Sequence, residues 1–377
     1  MREGSYQQMK FVCSKSNLVN GLQIVSKAVP SKTTMSILQC ILIDATEGII
    51  RFIANDMELG IQTTVEGNIV DRGFIALDAK IFFDIVRKLP DNNVTIESNE
   101  ASKITISCEK AKFNIIGRTG DDFTYLPSIE KIDGIKVSQF TLKNIITQTI
   151  FSIAENDTNK MMSGELFEVD GSVMKLVSLD GHRISIRKVE LSDSYPVKKV
   201  VVPGKTLSDI SKILTDNTES IVNIYFTDKH ILFEFDSTIV VSRLIEGEYF
   251  NIDQMLSSDY ETKVSINRRE FLECIDRATL LVKEGDKKPV IISIEEGQME
   301  LKINSTVGSM DERVDIEKQG KDLKIGFNPK FLIDALRVIE DETVDIYLVN
   351  PKAPCFIKDA DASYIYLILP VNFTTVD

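Results

Sequence analysis

One helix is written three times in this chain, at a fixed interval of 125 residues. The segments "DAKIFFDIVRKLPD" (78–91), "PGKTLSDISKILTD" (203–216) and "NPKFLIDALRVIED" (328–341) align position by position. Lys80, Lys205 and Lys330 coincide, as do Asp84, Asp209 and Asp334. Arg87, Lys212 and Arg337 coincide too, then Asp91, Asp216 and Asp341. Apolar residues recur at helical spacing: Phe82, Ile85, Val86 and Leu89; Leu207, Ile210 and Leu214; Leu332, Ala335, Leu336 and Ile339. That period predicts an amphipathic helix whose charged face carries pairs at i, i+3 and i, i+4. A β-branched strand follows each copy: "VTIES", "IVNIYF" and "VDIYLV".

The surroundings of the helix repeat as well. Apolar strands joined by an acidic or glycine turn occur as "ILIDATEGIIRFIAND", "ELFEVDGSVMKLVSLD" and "VIISIEEGQMELKINS", and predict β-hairpins. A further helical pattern precedes each hairpin, over 14–28, 141–155 and 267–283. A further strand pair closes each unit, as in "KITISCEKAKFNIIG", "HILFEFDSTIVVSRL" and "PCFIKDADASYIYLIL". The expected fold class is therefore α+β: three similar tandem domains, each of antiparallel sheet with two helices. Polar stretches place their boundaries at 9–133, 134–258 and 259–377, with residues 1–8 as an N-terminal extension kept out of the fold.

Composition limits the function. The chain of 377 residues carries a net charge of −13, which argues against coating nucleic acid with its whole surface. Charge is unevenly shared, however. Six helical windows (14–32, 78–90, 141–156, 203–216, 267–283, 327–341) hold 15 Lys and Arg against 11 Asp and Glu. The helices are thus net +4, and the remainder of the chain is net −17. A polyanion is drawn to the helical faces and repelled elsewhere. No apolar run is long enough to span a membrane and no basic-then-apolar leader opens the chain. Five scattered cysteines, never in a CxxC pair, suit a reducing cytoplasm and not a disulfide or zinc framework. Tandem units also expose sheet edges, which must be capped or closed on a second copy.

The ordered set "MKF", "SILQCILI", "NDMELGIQTTVEG", "FFDIVRKLPD", "LDGHRISI", "SRLIEGEYF", "IGFNPKFLIDAL" and "YIYLILPV" resembles the bacterial sliding clamp family, the beta subunits of DNA polymerase III, from Met9 to about Val371. The resemblance implies a head-to-tail homodimeric ring around duplex DNA, bound without regard to sequence. It implies a non-enzymatic processivity factor without metal or cofactor, loaded by a clamp loader. Its partners would be the polymerase III alpha subunit, other polymerases and repair proteins. These dock a short motif, a Gln followed by apolar and aromatic residues, between the second and third domains.

Carried over residue by residue, the docking pocket comprises Met162, Leu179, Gly181, His182, Arg183, Ile184, Phe250, Gln254, Met255, Leu369, Pro370, Val371 and Asn372. Phe250 stands where many relatives have Pro, and Gln254 and Asn372 where many have Arg, which bears on peptide preference. DNA contact falls to Lys32, Lys80, Lys205 and Lys330, with Arg268 and Arg269 beside them. The subunit joint falls to Phe113 and Ile115 at one end and Leu280 and Leu281 at the other. Two other readings stand beside this one. A β-rich adaptor of the same repeats would never meet nucleic acid, and the charge contrast opposes it. A hydrolase would use Asp180 and His182, but no nucleophile partner, HExxH, phosphate loop or paired-carboxylate pattern accompanies them. His182 reads as a turn residue shared with peptide docking.

Overall fold

The structure is a computed structural model that describes residues 8–154, 159–256, 259–282 and 288–373. Outside these lie most of the N-terminal extension, the helical-window ends at 155–156 and 283, the boundary residue 258 and the tail 374–377.

The first repeat runs β1 (Met9–Ser14), α1 (Lys15–Val25), β2 (Cys40–Asp44), β3 (Ile50–Asn55), β4 (Leu59–Val65), β5 (Asn68–Asp71), β6 (Phe74–Asp78), α2 (Ala79–Lys88), β7 (Asn93–Ser98), β8 (Lys103–Cys108) and β9 (Ala111–Ile116). The second runs β10 (Ile135–Ser138), α3 (Gln139–Thr147), β11 (Gly164–Leu179), β12 (Arg183–Pro203), α4 (Gly204–Ser211), β13 (Ile221–Phe226), β14 (His230–Phe235) and β15 (Thr238–Arg243). The third runs β16 (Thr262–Asn267), α5 (Arg268–Thr279), β17 (Val290–Glu295), β18 (Gln298–Asn304), β19 (Ser309–Asp315), β20 (Glu317–Gly320), β21 (Leu323–Phe327), α6 (Pro329–Val338), β22 (Thr343–Leu348), β23 (Cys355–Lys358) and β24 (Tyr364–Ile368).

Short polar residues start the helices where the repeat puts them. Ser14, Asp78, Asn267 and Asn328 each accept a backbone N–H from the first turn with the side chain, and Pro329 sits where its missing N–H costs nothing. The apolar faces are buried as the period demands. Phe82 and Val86 of α2 and Leu332, Ala335 and Leu336 of α6 are all in the core. Phe82 meets Phe52 edge to face at 6.0 Å. The second copy of the repeated helix, α4, stops at Ser211, short of the window to 216. The reason is a contact distant in sequence. The backbone N–H of Thr215 donates to the Gln139 side chain at 2.9 Å instead of continuing the helix. The hairpin expected in "ELFEVDGSVMKLVSLD" also differs, being one run of strand, β11. Its first half pairs with 198–203 and its second with 184–190, and the register breaks at Gly171, held at φ +57°.

The chain forms two compact units, one of residues 1–140 with 212–244 and one of 141–211 with 245–377. The first holds the sheets β5-β1-β7-β8-β9 and β10-β13-β14-β15-β4-β3-β2-β6. The second holds β11-β12-β24-β23-β22-β16-β20 and β19-β18-β17-β21. All recorded pairings are antiparallel. In both units the repeats are joined by one rule. The last strand of a repeat pairs with the strand after the hairpin of the repeat before it: β15 with β4, and β24 with β12. Applied to the chain ends, the rule leaves β9 without a preceding partner and β19 without a following one, and both are sheet edges.

Candidate functional site

The turn between β11 and β12, Asp180-Gly181-His182, organises a recess in the second unit. Asp180 Oδ1 accepts the backbone N–H of His182 at 3.0 Å and of Arg183 at 3.2 Å. Gly181 sits at φ +82° with open space around it, so the backbone conformation and not crowding calls for glycine. The His182 carbonyl accepts from Leu369 N–H at 2.9 Å, and Val371 N–H donates to Gly326 O at 2.8 Å. The first bond lays Leu369 beside the turn, and the second ties Val371 to β21.

Arg183 is only 7% exposed. Its Nε donates to Asp180 Oδ2 at 2.9 Å, its Nη1 to Asp334 Oδ2 at 2.7 Å, and its Nη2 to the Phe151 carbonyl. Its guanidinium lies 4.4 Å from the Phe331 ring centre. A buried arginine paired with two carboxylates and stacked on an aromatic is a scaffold, since its donors are spent on shaping the wall. The recess it braces has a volume of about 450 Å³ and is lined by Phe151, Ile153, Ala154, His182, Lys330 and Phe331, with Asp180, Arg183 and Asp334 behind them.

Leu179 and Ile184 belong to a buried apolar cluster with Leu166, Tyr249, Ile252 and Leu367, and Met162 and Phe250 pack against it. Beside it a second hollow, of about 570 Å³, is lined by Leu166, Val201, Tyr249, Phe250 and Ile252 and edged by Glu168, Lys175 and Lys199. Met255, 50% exposed, and Leu369, 38% exposed, are large apolar side chains left open to solvent. Gln254 shares the exposed turn of Met255, and Asn372 is exposed after Val371. The fold thus gathers Met162, Leu179, Ile184 and Phe250 in one apolar cluster and sets Gly181, His182, Leu369 and Pro370 along one turn. Such a mixture of apolar wall and few polar groups suits an apolar peptide anchor.

Sequence reasoning missed Phe151 and Phe331. Phe331 had a readable signal: it falls where the first copy of the repeated helix puts Ile81, an exposed apolar residue on the charged face. Lys330, assigned to DNA from the sequence, lines this recess. Lys32, Lys80 and Arg269 are exposed, and Lys205 is exposed within 3.6 Å of Asp209. Arg269 pairs with Glu273 at 2.8 Å. Arg268 instead donates to the carbonyls of Asp341 and Leu336, closing the C-terminal end of α6. Phe113, on β9, and Leu280, after α5, are exposed, while Ile115 and Leu281 are half-buried. A Cβ on Gly308, which opens β19, would lie 3.9 Å from Leu281. Among the described residues, no Ser, Thr or Cys lines the recess beside Asp180 and His182. The five cysteines are buried, with the thiols of Cys13, Cys274 and Cys355 pushed up to about 12 by burial, which leaves them unreactive. No helix among the described residues is long and apolar enough to cross a membrane.

Comparison with known proteins covers nearly the whole chain. Family models for the DNA polymerase III beta subunit match in order: the N-terminal domain over residues 9–127, the central domain over 136–251 and the C-terminal domain over 253–372. The beta sliding clamp of Staphylococcus aureus strain Mu50 is 33% identical over 375 residues, spanning 97% of this chain and 99% of the relative. Among solved structures, a DNA polymerase III beta subunit from Eubacterium rectale aligns with a TM-score of 0.93 at 66% identity. The DNA polymerase sliding clamp of Bacillus subtilis aligns with a TM-score of 0.93 at 34% identity. Each covers 97% of this chain and 100% of its own. With all three of its repeats matched in order, this chain belongs to the DNA polymerase III beta subunit family of bacterial sliding clamps.

Proposed function

We propose that two copies of this chain close head to tail into a ring that encircles duplex DNA and tethers polymerases to the template, catalysing no reaction itself. The observation that carries the reading is the pair of free edges. The internal joints pair Val240 with Ile61 and Tyr366 with Ser185. Phe113, Val240 and Tyr366 occupy one repeat position, opposite Ile106, Phe233 and Ile357 in their hairpins. Gly60, Ile184 and Ser309 occupy another, opposite Asn55, Leu179 and Asn304. Extending the rule to β9 of one copy and β19 of the next sets Phe113 against Met310, Lys112 against Asp311 and Asn114 against Ser309. An apolar pair and an opposite-charge pair on facing strands are what such a joint needs. Two such joints leave neither edge open, which removes the pairing hazard of tandem sheets.

The three domains of this reading are 9–133, 134–258 and 259–377. Lys32, Lys80, Lys205 and Lys330 hold the phosphate backbone loosely, with Arg269 beside them, so that binding ignores sequence and permits sliding. Arg268 acts mainly as the clasp of α6. Peptide motifs of the polymerase alpha subunit, the clamp loader and repair proteins seat their apolar anchors on Met162, Leu179, Ile184, Phe250, Met255 and Leu369. Val371 and Pro370 wall the groove, and Gln254 and Asn372 meet its rim. Tethering raises the effective concentration of polymerase at the template by linkage alone. The test of the joint is a cysteine pair, Phe113→Cys with Met310→Cys, in the full chain. Oxidation should give a covalent dimer that retains a closed DNA circle under denaturing conditions. Open-ended multimers, or no cross-link, would rule the joint out.

A further inference from the structure

The first unit contains a second copy of the turn at residues 180–183, with a recess beside it. Residues Asn55–Gly60 are the repeat counterpart of Leu179–Ile184: each lies between the strands of the hairpin and the strand that joins the next repeat. Asp56 Oδ1 accepts Glu58 N–H at 3.0 Å and Leu59 N–H at 2.7 Å, as Asp180 does for His182 and Arg183. The position of Gly181 is filled by Met57, at φ +78°. A methionine in the left-handed region is strained by about 1 kcal/mol relative to glycine, and strain of this kind collects at functional positions. Met57 is also 52% exposed.

A recess of about 220 Å³ opens beside it, lined chiefly by Met57, Tyr125, Leu126, Pro127, His230 and Val241. The lining strand β15 pairs with β4 as β24 pairs with β12 in the second unit, and the segment 124–127 lines this recess as residues 250–253 line the larger hollow there. Asn55 fixes that segment to the turn, its Nδ2 donating to Thr124 O at 3.1 Å and its Oδ1 accepting Met57 N–H at 2.6 Å. Gly60 is the counterpart of Ile184, and any Cβ there would strike Leu126, 1.9 Å away. Leu126 therefore fills the space that a side chain takes at Ile184 in the second unit, and lines the recess with apolar surface. The charge differs. Glu58 stands in the place of His182, and among the described residues no lysine lines this recess, whereas Lys330 lines the recess beside His182 and Lys175 and Lys199 edge the larger hollow.

We infer that this recess is a second peptide-docking site, for a short extended segment that presents an aromatic or large aliphatic anchor flanked by a basic residue. The anchor sits against Met57, Tyr125 and Leu126, and the basic residue pairs with Glu58. The inference rests on the reading of the second-unit groove as a peptide site. One chain then holds two partners of different charge at once.

The test uses the full-length chain with 13C-methyl methionine, because Met57 reports on one recess and Met162 and Met255 on the other. Two peptides share a Leu-X-Leu-Phe core. One is preceded by Gln, and the other is flanked by Arg and Lys. The basic peptide should shift the Met57 methyl, and Glu58→Lys should weaken that binding about tenfold or more, the loss of one charge-assisted pair. The Gln peptide should shift Met255 in both proteins. A Met255 response with no Met57 response to the basic peptide overturns the inference and leaves the second-unit groove standing. A Met57 response indifferent to Glu58→Lys overturns the charge assignment. A Met57 shift that follows protein dilution without peptide identifies a second copy as the occupant. Silence at both sites overturns both readings.

Discussion

Replacing Lys112 by Asp should open the ring. In the proposed joint Lys112 faces Asp311 of a second copy across an antiparallel pair. A facing opposite-charge pair contributes up to about 1 kcal/mol, and like charges facing one another cost a similar amount. Lys112→Asp exchanges the first for the second, a change of about 1–2 kcal/mol per joint. A closed dimer has two joints, so the dimer weakens by about 2–4 kcal/mol, or roughly 30- to 700-fold in Kd. The single variant at Lys112 is the cleaner one. Asp311 already lies 3.2 Å from Lys302 in its own chain, so Asp311→Lys also sets two lysines side by side within one protomer. Sedimentation velocity over a dilution series gives Kd at low and high salt. The effect should shrink at high salt, because Lys112 and Asp311 lie at exposed edges where ions screen charge. Combining Lys112→Asp with Asp311→Lys should recover much of the lost affinity. An unchanged Kd in the single variant, or a double variant weaker than both singles, would refute the register.

Three further outcomes follow from the same geometry. Glu165 is fully buried with no hydrogen-bond partner for either oxygen among the described residues, and burial pushes its carboxyl up to about 8. The Thr149 hydroxyl nearby pulls it back a little but is spent on the carbonyls of Ile145 and Ile146. A carboxyl whose folded pKa is raised holds its proton in the native state, so its share of stability is full below its unfolded pKa, near 4.5, and is lost as pH rises through about 8. Glu165→Leu should therefore raise stability by about 3 kcal/mol at pH 7 and flatten the fall of Tm between pH 5 and 8, read by calorimetry. Arg183→Lys keeps the charge but loses the fork and the stack on Phe331. It should cost about 2–3 kcal/mol in chemical denaturation and weaken Gln-motif peptides without touching dimerisation. Lys80→Ala and Lys330→Ala should both weaken retention on DNA, but only Lys330→Ala should also weaken peptide binding, measured by fluorescence anisotropy.

Much of the fold was legible because the repeat states each element three times. The period of Phe82, Val86 and their counterparts marks a helix wherever it appears, and caps such as Asp78 and Asn328 mark its start. What the repeat hid was where copies diverge. Gln139 lies 76 residues before Thr215, and nothing local shows that its side chain will take Thr215 N–H and end α4 early. The residues proposed for the groove were named through the family resemblance, and the apolar cluster around Leu179 and Ile184 follows from their alternation along β11 and β12. The role of Arg183 was not. Its partners Asp334 and Phe151 lie 151 and 32 residues away, so the sequence shows a cation near a turn and the fold makes it a buried brace. The equivalent aspartates make the same point. Asp84 pairs with Arg87, Asp209 approaches Lys205, and Asp334 takes Arg183, three partners for one repeat position.

The most direct measurement is retention on DNA of defined topology. Protein loaded on a nicked circle should stay through gel filtration at a salt concentration that strips loose phosphate contacts, and should leave within the run once a restriction enzyme cuts the circle. Equal retention on circular and linear DNA, or none on either after loading, would contradict capture by a closed ring.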